Sequence, residues 1–206
     1  MAISKIQVSM IENEEVDGAS KKNVTLDIYD DQLIKRSDSV YKKRLTFMKS
    51  FVPVFNYHYK NISEGKESIS LEYESQLQEQ NHKELLETSL PKDKVLQYTT
   101  QGTHKDDINF LLEGQPIKKF GSQGQQKTFL VALKFAQFEF LKMQISGAPI
   151  LLLDDAFDKL DQKRVTQIVS LVEKNDFGQI FITDTHEERT LEALGKSQSK
   201  YQIFKL

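Results

Sequence analysis

Cysteine does not occur anywhere in the 206-residue chain. Disulfides, thiolate metal sites and cysteine nucleophiles are therefore excluded, and the composition fits a reducing compartment. Long apolar runs are missing as well. None approaches the roughly 18 residues that a membrane span needs, and the start, "MAISKIQVSM", holds no apolar core long enough for a signal peptide. The expectation is a cytoplasmic protein without a membrane partner. Nor is there an excess of one charge: the net value is −2, so binding to nucleic acid cannot be argued from the total. Basic residues do gather locally at Lys35 and Arg36, from Lys42 to Arg44, and at Lys118 and Lys119. Each cluster reads first as a solvated face; the pattern permits contact with DNA and does not demand it.

What is present is organised. With 206 residues the chain can form one large domain or two small ones with a real core. Residues 1–24 are polar and without period, a lead-in that matches nothing recognisable. From about Thr25, Leu26, Leu33, Val40, Leu45, Met48, Phe51, Val52 and Phe55 recur at helical spacing, which predicts a long amphipathic helix that Pro53 should kink or end at Val52. No equally long helix follows to cover its stripe, so an exposed stripe and self-association are expected. "ISLEYES" alternates as a half-buried strand, "HKELLETSL" reads as a short helix, and Pro91 opens a further first turn. "INFLLEGQPIKKF" predicts a strand and tight turn, and "GSQGQQKTFLVALKFAQFEFLKMQ" a helix. The remainder alternates: strand Ile150 to Leu153, helix from Asp161, strand "QIFIT", helix "EERTLEALG" closed by Gly195, strand "YQIFKL". That order implies an α/β fold with parallel strands.

The segment "PILLLDDAFDKLD" carries the chemistry. Its aliphatic run predicts a strand buried on both faces, and ligands bind at the C-terminal ends of such strands. Adjacent carboxylates there, Asp154 and Asp155, raise one another's pKa unless a cation or donors hold them, and Mg²⁺ with a phosphate is the simplest holder. A phosphate cradle of the form Gly, four residues, Gly-Lys-Ser/Thr does not occur within the chain. "GKS" at Gly195 lacks the first glycine, and "GKE" at Gly65 fails as well. A second candidate anion site is "FGSQGQQK", where Ser122 and Gly124 open a helix whose first N–H groups are unpaired. An ordinary N-cap by Ser122 is the competing reading.

The order of these features is that of the C-terminal half of an ABC-type ATPase head. "KKFGSQGQQKTFLVALKFAQFEFL", "PILLLDDAFDKLDQKRV", "FGQIFITDT", "YTTQGTHKDDINFLLEG" and "KNISEGKESISLEYESQL" resemble RecF proteins, Bacteroidetes-like members in particular, from about Thr25 to Leu206. The resemblance implies a helical arm over residues 25–92 and the C-terminal half of the head over 93–206. It implies ATP held between the P-loop of one subunit and the signature helix of another, with Ser122, Gly124 and Gln125 as signature. Asp154 then orients Mg²⁺, and Asp155 positions the attacking water. Asp158 and Asp161 belong to the D-loop, Thr183 and Asp184 to the switch region. His104 stands in "GTHKDD", where threonine replaces the more usual proline. The implied activity is ATP-gated dimerisation on DNA near single-strand gaps, with RecR as partner and RecA loading as outcome. Asp161 can also be the N-cap of its helix, Asp158 can end a turn, and His186 can lie idle in a loop. Two other readings stand beside the repair ATPase: a non-catalytic module contributing arm and half-head to an assembly, and, less well matched, a magnesium phosphatase or receiver-like domain, which leaves the signature helix unexplained.

Overall fold

The computed structural model describes residues 24–145, 147, 149–174, 177–185, 187–195 and 200–204. The polar lead-in, apart from Val24, and His186 lie outside them. Two compact units divide the chain: the described residues up to Met48 with Glu72–Asn109, and Lys49–Leu71 with Phe110–Leu206. The long helix α1 (Val24–Ile62) and the strands β1 (Ile69–Glu74) and β2 (Asp107–Leu112) each run from one unit into the other.

In the first unit, α2 (His82–Leu96) starts at Asn81, whose side chain accepts from Glu84 N at 3.0 Å. It continues through Pro91, where a break was expected. Leu85, Ser89 and Asp93 recur every four residues on one buried face that spans the proline, and packing overrides the local preference. Asp93 closes the unit's turn by accepting from Ser89 Oγ (2.8 Å), Thr100 N (3.0 Å) and Thr100 Oγ1 (2.6 Å). Arg44, read as part of a basic cluster, is a structural cation. Its Nη1 donates to Asp106 Oδ2 at 2.5 Å and to Thr103 O at 2.6 Å, and Tyr73 OH donates to the same carboxylate oxygen.

In the second unit α1 runs on through Pro53 to Ile62. The stop expected at Val52 does not occur. An interior proline costs about 3 kcal/mol, and each aromatic side chain buried beyond it returns about 1.5–3 kcal/mol. Phe51, Phe55, Tyr59 and Ile62 form that buried face. Its partner is α4 (Gln123–Gln144): ring centroids lie 5.3 Å apart for Phe51 and Phe140, 4.8 Å for Phe55 and Phe129, and 5.4 Å for His58 and Phe135. This part of the helix therefore has a mate. Of the stripe expected to be exposed, Leu33, Val40, Leu45, Met48 and Phe55, Met48 and Phe55 are buried, Leu33 and Leu45 are half-buried, and Val40 is 37% exposed.

The tight turn is a hairpin. Strand β2 pairs antiparallel with β3 (Gln115–Pro116), Leu112 opposite Gln115, and Glu113 and Gly114 both have positive φ, at 50° and 73°. Two consecutive left-handed residues make the turn whose twist matches the strands. A short helix, α3 (Ile117–Phe120), leads into α4. Beyond it, β4 (Leu151–Leu153) and β5 (Ile180–Ile182) pair in parallel, with α5 (Gln162–Lys174) between them in sequence and α6 (Glu187–Leu194) after. The α/β class is as expected, but the strand is not buried on both faces. Leu151 and Leu153 are buried, whereas Leu152 is 61% exposed and lies opposite Phe181, 48% exposed. No strand forms over 201–204. Among the described residues this sheet has two strands, β4 and β5.

Candidate functional site

All the site residues that the resemblance assigns fall in the second unit. They form two clusters. In the first, the chain leaves β4 at Leu153 and turns at once. Asp155 has φ 49°, a left-handed value that aspartate tolerates better than most residues. The two acids are thus separated by a turn rather than by alternation along a strand. Thr183, just past β5, holds them together: its Oγ1 donates to Asp154 Oδ1 at 2.5 Å and accepts from Asp155 N at 2.8 Å. Backbone bonds extend the pairing past the strand ends, Thr183 N to Leu153 O at 3.0 Å and Ala156 N to Thr183 O at 3.1 Å. Asp184 is drawn elsewhere, accepting from Thr190 Oγ1 of α6 at 2.6 Å. Among the described residues no group of three or more His, Cys, Asp or Glu side chains comes together. A pair of carboxylates suits magnesium, which takes one or two from the protein and the rest of its shell from water and phosphate.

The second cluster joins the start of α4 to the loop before α5. Ser122 caps α4 with a reciprocal box: its Oγ accepts from Gln125 N at 3.2 Å, and its N–H donates to Gln125 Oε1 at 2.8 Å. The N-cap reading and the anion-site reading therefore coexist, because the cap uses Ser122 Oγ as an acceptor and leaves its O–H donor to another group. Ser122 is exposed. Gly124 is a glycine for a steric reason. A Cβ there would sit 2.9 Å from Lys159 O, so the helix start and the loop holding Asp158 to Asp161 touch backbone to backbone. In that loop Asp158 pairs with Lys159 Nζ at 3.3 Å. Asp161 is the N-cap of α5, accepting Arg164 N at 2.9 Å, as its spacing ahead of the apolar positions suggested.

Beneath the second cluster lie residues that sequence reading passed over. Glu67 accepts from Tyr59 OH (2.6 Å), Gln125 Nε2 (3.0 Å) and Arg164 Nη2 (2.6 Å). Burial pushes this carboxyl up, and the three donors outweigh it, holding Glu67 below the usual carboxylate range. Burial, with Glu67 adding to it, pushes the Tyr59 phenol up. Arg164 Nη1 also donates to Thr128 Oγ1 at 2.6 Å, which donates to Gly124 O at 2.8 Å. Glu67 stood within "GKE", weighed only as a failed phosphate cradle. His104 belongs to the other unit, where its Nε2 bonds Thr99 O at 2.9 Å.

No family model matches the chain. Curated proteins do. It is 51% identical over 184 residues to a Flavobacterium johnsoniae protein called DNA replication and repair protein RecF, covering 89% of this chain and 51% of that one. It is 47% identical over 179 residues to a Bacteroides fragilis protein of the same description, covering 87% and 48%. A solved structure of the "recombination mediator protein RecF-ATP in RecFOR pathway" superposes with a TM-score of 0.70 at 22% identity, over 91% of this chain and 51% of that one. The fold is therefore an α/β, helix-rich one with a parallel sheet, shared over 91% of this chain with that RecF structure. The chain belongs to the RecF family, and it spans about half the length of the curated relatives it matches.

Proposed function

We propose that this chain supplies the signature, Walker B and D-loop part of an ATP-binding head that acts in DNA replication and repair. The observation that carries this reading is the joint at Gly124. It brings an exposed helix start, capped by Ser122, against the loop of Asp158 and Asp161, and so builds one surface from two segments that the resemblance places at an ATP-dependent dimer interface. Ser122 and the first N–H groups of α4 would meet the terminal phosphate presented by a second copy. Asp154, oriented by Thr183, would hold Mg²⁺, and Asp155 would polarise the attacking water. Magnesium held there would supply charge neutralisation for the transferring phosphate. Duplex DNA, junctions with single strands, and RecR are the partners the family resemblance suggests, with RecA loading as the outcome.

A second reading, a non-catalytic half-head module, is favoured by the exposed Leu152 and Phe181 pair, an apolar face suited to contact with further protein. Nucleotide binding separates the two. The 206 residues contain no P-loop, so calorimetry of this chain alone with magnesium-ATP should give no affinity tighter than about 1 mM. The same residues joined to the N-terminal half of the Flavobacterium johnsoniae relative, the completed chain below, should bind at micromolar concentration. Micromolar binding by the 206 residues alone contradicts the reading, and no binding by the completed chain favours the module.

A further inference from the structure

Glu67 lies in the loop between α1 and β1, within the stretch that the resemblance assigns to the helical arm and outside the signature, Walker B, D-loop and switch segments. Its side chain is 14% exposed and that of Arg164 17%. A carboxylate so withdrawn from water is costly unless donors surround it, and here three do. We infer that Glu67 is a positioning residue for the signature serine, and that its pair with Arg164 holds the signature helix and the D-loop as one rigid surface. The inference rests on the functional reading above.

The connections run through single atoms. Gln125 has one amide group with two different ends: Oε1 accepts the Ser122 N–H, and Nε2 donates to Glu67 Oε1. Glu67 thus fixes which way the amide faces, and the amide fixes the cap. Without a carboxylate at 67, Gln125 Nε2 has no acceptor there, and the side chain gains rotamers that abandon Ser122. The same Oε1 receives Arg164 Nη2. Arg164 in turn reaches both neighbours: Thr128 of α4 through Nη1, and Asp161 through its backbone N and, at 3.5 Å, through Nε. One carboxylate oxygen therefore ties α4 and α5 together directly below the place where Gly124 meets Lys159 O. Donors to a developing phosphate charge act only when they are held beforehand, and a misplacement of about 1 Å can cost about 10²-fold in rate. The side chains of Gln125 and Glu67 supply that restraint from the inward side, while Ser122 remains on the exposed one.

The test uses the completed chain with Glu67→Gln, Glu67→Ala, Gln125→Ala and the double substitution Glu67→Ala with Gln125→Ala. The two Glu67 single variants should bind magnesium-ATP within about twofold of the parent, because binding by one subunit belongs to the P-loop half. Turnover should fall about 10-fold for Glu67→Gln and about 10²-fold for Glu67→Ala, with more ATP needed for dimerisation. The double variant should lose no more than the worse single one, since both act through one chain of bonds. Losses that multiply overturn the inference, as does parental turnover in folded Glu67→Ala. If Glu67→Ala does not fold, Glu67→Gln carries the same test. A parent that shows no ATP-dependent dimer overturns the functional reading and this inference with it. A parent that closes, with variants that close equally well, overturns the inference alone.

Discussion

In the completed chain, Asp155→Asn should keep ATP binding and lose at least about 10²-fold in hydrolysis, the usual contribution of a positioned general base. Asparagine is the informative replacement. Asp155 has φ 49°, a conformation in which asparagine is among the few side chains enriched, and its backbone N–H to Thr183 Oγ1 survives the change. The turn should stay intact while the charge that polarises water disappears. Asp154 keeps its bond from Thr183, so on the proposed reading magnesium and nucleotide should still be held. Dimers that close on ATP should then accumulate, because closure no longer leads to hydrolysis, and retention on DNA should rise with them. Steady-state phosphate release and equilibrium nucleotide binding check this together. Hydrolysis at the parental rate would leave Asp155 a turn-forming residue selected for its left-handed backbone.

The second large effect is on stability. Phe55→Ala should cost about 3–5 kcal/mol, since Phe55 is fully buried and its ring packs 4.8 Å from Phe129 of α4. For a chain of this size that corresponds to a fall in Tm on the order of 10 °C. Met143→Ala, at an exposed position of α4, should stay within about 0.5 kcal/mol. Urea unfolding of the two variants compares them directly. Equal midpoints would mean that α1 does not find its partner in α4 and that its aromatic face is covered in some other way.

The helices that sequence period revealed are present, and so are the hairpin, the parallel pair, and the capping of α5 by Asp161. The failures share one cause. Pro53 is a local stop signal and Pro91 a local start signal, yet Phe51 and Phe55 on one helix and Leu85, Ser89 and Asp93 on another make continuous buried faces across them. Those faces exist only in the folded state. Likewise "ILLL" carries no mark that tells a strand covered on both sides from one with Leu152 exposed, because cover comes from other segments. At the candidate site, Ser122, Gly124, Asp154 and Asp155 could be proposed from sequence because their chemistry is local and their order specific. Glu67 was not: its pairing with Arg164 spans 97 positions, and neither residue stands in a run that signals it. The joint of Gly124 with Lys159 O is hidden for the same reason.

The central claim, that the helix start at Ser122 meets nucleotide bound by a second copy, is tested most directly by sedimentation of the completed chain with and without magnesium-ATP, for the parent and for Ser122→Arg. Ser122 is exposed, so the larger side chain meets no steric bar within the chain; it gives up the Oγ cap of α4, a cost of about 1 kcal/mol, and should leave each subunit's own ATP binding unchanged while obstructing the surface where the second copy's phosphate arrives. The account predicts a parent that shifts from monomer to dimer on adding ATP and a Ser122→Arg variant that binds ATP and stays monomeric. A Ser122→Arg variant that dimerises at the parental ATP concentration would contradict it.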